Sequence, residues 1–348
     1  MNKPGPYLHA TGEGLTTCAL DETTGAITRL QSCPGAENVI WITRAGNVLW
    51  VATERYLEPG EISAFAVSET GVCSHLGPTQ SSHGGAICHI AVAADARTAF
   101  VASYLGGISV HALAPDGRVA AAHQIINYQG SGPDAERQQK SHPHQAVVSP
   151  DGKHLYVCDL GADMIWIHRI DASGLGPARG VPAPPGCGPR HLVFHPTLPL
   201  LYLFGELDAR IHVFAFHDDH LDLRSTHQTL PQDFAGEPAG AAVKFHPSGS
   251  TLLVSNRNSD SITVFRVDAA GELIHAACFP TQGRTPRDLA VSPSGRWLLA
   301  VNQDSHTVVP FELDPATGLP TGTRGPAFAC GSPVCAAFRE HLIIRSSP

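Results

Sequence analysis

The sequence predicts an all-β protein, a β-propeller built from repeated four-stranded units, and three observations lead to this prediction. A Pro-containing turn, of which "SPDG" is one copy, recurs with its prolines at Pro150, Pro196, Pro247 and Pro293. Short apolar runs precede and follow each turn. Glycine (34 residues) and proline (28 residues) are frequent among the 348 residues, which disfavours long helices. Repeats of about 40–50 residues with four short strands each are typical of propeller blades.

The four clearest units share one strand pattern. The first strand reads "AVV", "LVF", "AVKF" or "LAV" before the turn, and the second reads "LYVCD", "LYLFG", "LLVSN" or "LLAVN" after it. A third strand follows as "MIWIHRI", "RIHVFAF", "SITVFRV" or "TVVPFEL". Short runs rich in β-branched and aromatic residues and bounded by Gly, Asp, Asn or Pro are typical of strands.

Weaker copies of the unit extend the series towards the N-terminus, at residues 39–67 and 89–113. Residues 7–30 contain the later strands of a unit but no first strand, whereas residues 332–345 begin a unit and stop. We therefore expect the two ends to form one composite blade. Together with six whole units it gives a single seven-bladed domain over residues 1–348, whose closure removes exposed sheet edges.

Composition and charge exclude several classes of function. The net charge is −8 and no Lys/Arg run occurs, so neither a nucleic acid nor an anionic membrane is an expected partner. The N-terminus has no apolar signal region and no stretch of 18 apolar residues occurs, which predicts a soluble, cytoplasmic protein. The nine cysteines are scattered singly without a C-x-x-C motif, so neither disulfides nor a zinc site is expected. The sequence does not indicate an oligomeric state.

The repeat register selects candidate functional residues. In a propeller, the start of a blade's first strand and the end of its second strand lie on the same rim of the central channel. Positions six before and ten after each repeat proline fall at these two places, and in an earlier blade pattern alignment assigns the first place to His89. We therefore expect one rim to bring together His89, His144, Arg190, Glu206, Arg257 and Arg287.

These residue types are suited to a small anionic substrate. Arginine recognises carboxylate or phosphate through two parallel hydrogen bonds. A histidine and a glutamate beside arginines can serve as general acid and base near neutral pH. Either burial raises the pKa of Glu206 or Arg190 and Arg257 lower it, and the sequence leaves this open.

Other interpretations of the same residues stay open. Arg190, Glu206 and Arg257 could brace neighbouring blades, and His89 or Arg287 could bond to loop carbonyls. At the ends of second strands, we expect three polar residues to cap turns: Asp159, Asn256 and Asn302.

The longest polar connection, residues 127–144, is expected to lie over the channel mouth. Arg137 and Lys140 would add positive charge there, and His142 is expected to support this loop or contact substrate. His142 and His144 form a His-x-His pair, but no third ligand has a recognisable spacing, so no metal is expected.

Several segments together resemble one known family. They include "GSGPDAERQQKSHPHQAVVSPDG", "GPRHLVFHP", "LFGELDARIHVF" and "SNRNSDSITVFRVD". The chain resembles, over nearly its whole length, the seven-bladed propeller lactonases: propeller-type bacterial 6-phosphogluconolactonase and fungal 3-carboxy-cis,cis-muconate lactonizing enzyme. The resemblance implies a site without metal or cofactor, with four catalytic residues: His144, Arg190, Glu206 and Arg257. The first two blades, with "WITRAGNVLW" and "SSHGGAICHIAV", are less regular than the family pattern.

The main hypothesis is hydrolysis of a sugar lactone, by resemblance 6-phospho-D-glucono-1,5-lactone. Arg287, His89, His142 and Lys140 would contact the substrate. The second hypothesis is a cycloisomerase of the muconate type, which needs the same acid, base and arginines. The third is a propeller that binds a metabolite or a protein without catalysis, since one scaffold supports many functions.

Overall fold

The computed structural model describes residues 7–10, 12–55, 57–217 and 220–338. These residues form an all-β propeller, which confirms the predicted fold class, and they contain no helix. Their strands group into six antiparallel sheets. Strands are numbered in chain order.

The first sheet contains seven strands and includes both ends of the described chain. Its strands are β1 (Tyr7–Ala10), β2 (Gly12–Leu20), β3 (Ile27–Ala45), β4 (Val48–Thr53), β5 (Glu61–Val67), β6 (Cys73–Ser81) and β29 (Ala336–Phe338). The long strand β3 pairs with β2 through its first part and with β4 through its last part, so it links the strands of two predicted units. Strand β1 pairs with β29, with Leu8 opposite Phe338. Residues 339–345 of the predicted composite blade lie outside the described residues.

The other five sheets each correspond to one predicted unit. The first two contain β7 (Gly85–Val92), β8 (Thr98–Leu105), β9 (Ile108–Leu113) and β10 (Val119–Ile126), then β11 (Pro143–Val148), β12 (His154–Asp159), β13 (Met164–Asp171), β14 (Gly174–Leu175) and β15 (Arg179–Pro182). The next two contain β16 (Pro189–Phe194), β17 (Leu200–Gly205), β18 (Arg210–His217) and β19 (His220–Gln228), then β20 (Gly240–Phe245), β21 (Thr251–Asn256), β22 (Ser261–Val267) and β23 (Leu273–Pro280). The last contains β24 (Pro286–Val291), β25 (Trp297–Asn302), β26 (Thr307–Leu313), β27 (Pro320–Arg324) and β28 (Phe328–Ala329). In the two five-stranded sheets the outer position is divided between two short strands that pair with the same third strand.

In three units, a large aromatic residue of the second strand connects the unit to the next one. Trp50 Nε1 donates to the Gly117 carbonyl at 2.9 Å, and Tyr202 Oη donates to the Gly271 carbonyl at 2.7 Å. Trp297 Nε1 makes the same kind of bond, at 3.1 Å, to the Glu22 carbonyl in the N-terminal unit. Gly25 follows in that turn with a φ of 72°, and a Cβ there would overlap the Trp297 ring. The unit of Trp297 therefore packs against the N-terminal unit as the units of Trp50 and Tyr202 pack against their successors.

A β-bulge recurs where each first strand begins. The pairing of the first and second strands skips one residue between Pro143 and Gln145, between Pro189 and His191, and between Pro286 and Asp288. The same irregularity occurs after Val39, Ile87 and Gly240. A bulge interrupts the alternation of side chains and re-aims them, which is why bulges are frequent near active sites. The skipped residues are Ile40, Cys88, His144, Arg190 and Arg287, and after Gly240 two residues, Ala241 and Ala242, lie opposite Ser255.

This register corrects the expected position of His89. The residue equivalent to His144 and Arg190 in that unit is Cys88, and His89 is the following residue, equivalent to Gln145 and His191. The sequence alignment was displaced by one residue, because this unit has no proline either in its turn or before its bulge.

Candidate active site

The bulge residues of several units share one cavity at the centre of the propeller. It is lined by Ile40, Trp41, Cys88, His144, Arg190, His191, Arg287 and Val334. The structure therefore brings together His144, Arg190 and Arg287 from three separate sheets, as the register predicted. The cavity is cationic on the side of Arg190 and Arg287 and uncharged on the side of Ile40, Cys88 and Val334.

Glu206 holds three arginines beside this cavity. Its Oε2 accepts from Arg190 Nε at 2.9 Å, and its Oε1 accepts from Arg137 Nη2 at 2.6 Å. Arg257 Nη2 forms an ion pair with Oε2 at 2.9 Å and donates its hydrogen bond to the Gly240 carbonyl at 3.0 Å. Glu206 and Arg257 directly follow the second strands β17 and β21, while Arg190 is the bulge residue of β16. Arg137 reaches the site from the 127–142 connection, so that connection does lie at the channel mouth.

Glu206 is an ionised carboxylate. It is 4% exposed, and this burial acts to raise its pKa. Arg257 and Arg190, followed by His144 and Arg137, act in the opposite direction and hold the pKa of Glu206 well below its usual range. Of the two possibilities that the sequence left open, the lowered pKa is therefore the outcome.

Arg190 is buried and completely engaged by protein groups on the side that faces Glu206. Its Nη1 donates to the Ala241 carbonyl at 2.6 Å, in addition to the bond from Nε to Glu206. Burial and the neighbouring Arg257 lower the pKa of Arg190, whereas Glu206 raises it. The Glu206 carboxylate thus offsets the repulsion between the Arg190 guanidinium and those of Arg257 and Arg137.

His144 is a buried, neutral imidazole that lines the cavity. Its Nδ1 finds no hydrogen-bond partner among the described residues, and its ring lies 5.3 Å from that of His191. Burial, followed by Arg190, lowers the pKa of His144 well below its usual value, and Glu206 only partly opposes this shift. The unprotonated form, which can accept a proton, is therefore present at neutral pH.

Arg287 differs from the other three arginines in its partners. Within the described part of the chain, its side chain donates one hydrogen bond, from Nη1 to Gln303 Oε1 at 3.4 Å, and no carboxylate pairs with it. Because Arg287 is partly exposed and lines the cavity, its guanidinium is available to an incoming anion.

Three further predicted residues lie near the channel with different surroundings. His142 Nδ1 bonds to the Tyr104 carbonyl at 2.8 Å and its ring stacks on Tyr104 at 4.1 Å, which fixes the end of the 127–142 connection. The His89 ring lies 4.3 Å from that of Trp41 in a tilted arrangement, and burial lowers the pKa of His89 well below its usual value. The Lys140 side chain is exposed on the connection.

Of the three residues expected to cap turns, Asp159 does so, because its Oδ1 accepts from Ala162 N in the following turn at 3.1 Å. Asp159 accepts from Ser141 Oγ at 2.6 Å and from Trp166 Nε1 at 2.8 Å. Asn256 Nδ2 donates to the Thr229 carbonyl, and Asn302 Nδ2 donates to the Thr281 carbonyl. The prediction is therefore confirmed for Asp159, whereas Asn256 and Asn302 bond to residues more than 20 positions earlier in the chain.

Sequence reasoning missed His191 and Trp41, both of which line the cavity. Each directly follows a bulge residue, so two consecutive side chains reach the same cavity and simple alternation fails. A proline precedes the bulge residue in "HPH", "GPR" and "TPR", at Pro143, Pro189 and Pro286. Because proline in a sheet is confined to edges and bulges, this repeated proline is a signal that could have revealed the bulge.

Among the described residues, no group of three or more His, Cys, Asp or Glu side chains is placed to hold a metal ion. The structure also contains, within the same residues, no helix long and apolar enough to cross a membrane.

Fold and site together define a class of protein: a β-propeller whose channel mouth carries an arginine cluster and a neutral histidine. The chain belongs to the lactonase family of seven-bladed β-propellers, whose family model matches residues 4–338. The 6-phosphogluconolactonase of Bacillus subtilis is 28% identical over 348 residues, which cover 97% of this chain and 98% of that protein. The solved structure of the Pseudomonas aeruginosa periplasmic gluconolactonase PpgL superposes with a TM-score of 0.90 at 28% identity, covering 96% of this chain and 99% of that one. Because this relative is described as periplasmic, the cytoplasmic location of the present protein stays a prediction.

Proposed function

We propose that the protein hydrolyses an anionic sugar lactone at the channel mouth, with 6-phosphogluconolactone as the first substrate to test. The observation that supports this most is the pairing of an unprotonated His144 with an arginine cluster in one cavity. Four arginines and one ionised glutamate leave a net positive charge there, in a protein of net charge −8. Such a local field concentrates an anionic substrate.

The arginines have two different tasks in this proposal. Arg287, which has no carboxylate partner within the described residues, binds the phosphate or carboxylate of the substrate. Arg190 and Arg257 are held in place by Glu206 and stabilise the oxyanion that develops on the lactone carbonyl. Donors held in advance in a site that excludes water are the largest contribution to many such reactions.

His144 is the general base. It takes a proton from a water molecule as the water oxygen attacks the lactone carbonyl carbon. When the tetrahedral intermediate collapses, the bond between that carbon and the ring oxygen breaks, and the imidazolium of His144 returns the proton to the departing ring oxygen. Glu206 stays ionised, and both of its oxygens contact the arginines that it positions. We therefore assign the role of base to His144 rather than to Glu206.

We further propose that the ring has seven four-stranded blades, with the seventh formed by both chain ends. The pairing of β1 with β29 supports this arrangement, as does the hydrogen bond from Trp297 to the N-terminal unit. The cavity then receives residues from six of the seven blades.

The test is hydrolysis of 6-phosphogluconolactone and D-glucono-1,5-lactone by purified protein, measured against spontaneous hydrolysis. His144→Ala is compared with His154→Ala, a substitution in the same sheet at the opposite end of the strands. We expect acceleration by the wild type and by His154→Ala, and its loss in His144→Ala. No acceleration by the wild type would overturn the proposal. Turnover of carboxymuconates without lactone hydrolysis would indicate the cycloisomerase, and binding without turnover would indicate a non-catalytic propeller.

A further inference from the structure

A second glutamate occupies the same register position as Glu206, in a unit three places away along the chain. Glu54 directly follows β4, the second strand of its unit, as Glu206 directly follows β17. The backbone of the two residues is held in the same way: Glu54 N donates to the Asn38 carbonyl at 3.0 Å and Glu206 N donates to the Gly188 carbonyl at 2.8 Å. Glu54 therefore lies on the rim of the channel that carries the candidate active site.

Other residues at this register position confirm where it faces. Gln303 contacts Arg287, and Tyr104 receives a hydrogen bond from Arg137, so both reach groups of the active site. The electrostatic effect of Glu54 falls on two cavity residues. Burial raises the pKa of the Cys88 thiol to about 12 and Glu54 adds to this rise, while Glu54 also opposes the lowering of the Arg287 pKa by burial and Arg257.

The two glutamates differ in their partners. Glu206 is buried against three arginines, whereas Glu54 is partly exposed and makes no side-chain hydrogen bond or ion pair with the described residues. The cavity residues supplied by the units around Glu54 are uncharged: Ile40, Cys88 and Val334. A carboxylate that forms no ion pair repels a second anionic group of a substrate and can accept hydrogen bonds from neutral donors.

We propose that Glu54 is a specificity-determining residue that accepts hydrogen bonds from the hydroxyl groups of a polyhydroxylated lactone, opposite the arginines that bind its anionic group. This inference rests on the proposed lactone hydrolysis and narrows it. The substrate carries its negative charge at one end and hydroxyl groups at the other. A lactone with carboxylates at both ends would meet repulsion at Glu54.

The experiment compares two six-membered lactones that differ only in their substituents, D-glucono-1,5-lactone and the unsubstituted δ-valerolactone. Glu54→Met removes the charge and both acceptors, and Glu54→Gln keeps one acceptor oxygen. Glu61→Met is the matched control, because Glu61 belongs to the same unit and pairs with the exposed Arg55. Thermal unfolding of each variant verifies that the fold is kept.

We expect Glu54→Met to lower kcat/KM for gluconolactone about tenfold or more, mainly through KM, since hydrogen bonds to a charged group are the stronger ones. Activity on δ-valerolactone should change less than about twofold, because this lactone has no hydroxyl group that could donate a hydrogen bond to Glu54. Glu54→Gln should fall between the wild type and Glu54→Met, and Glu61→Met should match the wild type.

Two failures are distinguishable. If the wild type accelerates the hydrolysis of none of 6-phosphogluconolactone, gluconolactone and δ-valerolactone, the proposed hydrolysis fails and the role of Glu54 fails with it. If it accelerates the hydrolysis of 6-phosphogluconolactone alone, an unchanged kcat/KM for that lactone in Glu54→Met overturns only the role of Glu54. If the wild type hydrolyses gluconolactone but the Glu54 variants keep the same ratio of the two activities, only the role of Glu54 is overturned. An equal loss on both lactones would also overturn it, because it would place Glu54 in the chemistry common to both.

Discussion

The two ends of the inner strands in this propeller follow different rules. At one end the strands turn through Pro-containing hairpins such as "SPDG", and residues there bond to neighbouring turns: His246 Nε2 contacts the Gly295 carbonyl at 2.8 Å. At the other end the same strands begin with a bulge, and the equivalent residues are Ile40, Cys88, His144, Arg190 and Arg287. The turn end is nearly the same in the four clearest units, whereas the bulge end differs from unit to unit. The repeat thus supplies a common scaffold, and the candidate functional residues lie at the bulge, directly after it, and directly after the second strand.

This difference predicts that substitutions at the bulge end lower activity more than stability, and that substitutions elsewhere in the repeat lower stability alone. Glu206 is the exception. Glu206→Leu should affect both, because it leaves Arg190 buried without its carboxylate. Removing one partner of a buried ion pair costs about 3–5 kcal/mol of stability. We therefore expect the largest loss of both unfolding free energy and activity from this variant, measured by denaturant unfolding and by lactone hydrolysis. A stable and active Glu206→Leu variant would contradict the role of Glu206 as the anchor of the arginines.

His144→Ala should remove activity without a comparable loss of stability. A general base contributes roughly 10²–10⁴-fold to a rate, so we expect kcat to fall by at least about a hundredfold. Steady-state kinetics together with thermal unfolding test this prediction. His154→Ala, at the turn end of the same sheet, should keep the wild-type kcat, and an equal loss in both variants would show that the effect is not specific to the site.

The buried histidines at the bulge end should also make stability depend on pH. Burial lowers the folded-state pKa of His89, His144 and His191, so the unfolded chain binds protons that the folded chain does not. Stability should therefore fall as the pH drops below about 6.5, by up to about 1.4 kcal/mol per pH unit for each histidine. The lowered pKa of Glu206 adds a further loss only below about pH 4.5. Urea unfolding between pH 5 and 8 measures the slope, which should be smaller in His191→Gln, and an unchanged slope would contradict the assignment.

The smallest effect is expected at the contacts between units. Tyr202→Phe removes the hydrogen bond to the Gly271 carbonyl and should cost about 1–3 kcal/mol of unfolding free energy. The kcat of this variant should remain that of the wild type, because Tyr202 does not line the cavity. If Tyr202→Phe changed kcat without changing the unfolding free energy, the distinction between the two ends would be wrong.

Much of this site was accessible from the sequence because the repeat provides a coordinate system. Counting from the repeat prolines placed His144, Arg190 and Arg287 on one rim, and the structure joins them in one cavity. The same counting failed for His89, because its unit has no proline in the turn to count from. His191 was missed for a different reason, since a bulge presents two consecutive side chains to the cavity. The sign of the Glu206 pKa shift needed the arginine distances, which no sequence pattern contains.

The central claim is that His144 is the base while Glu206 stays ionised as the anchor of the arginines. The most direct test is the dependence of kcat/KM on pH for lactone hydrolysis above the spontaneous rate. The account predicts a plateau near neutral pH that declines only below the ordinary histidine pKa of about 6.5, and the loss of this enzymatic rate in His144→Ala. An enzymatic rate that survives in His144→Ala but disappears in Glu206→Gln, a substitution that keeps the side chain's shape, would contradict it.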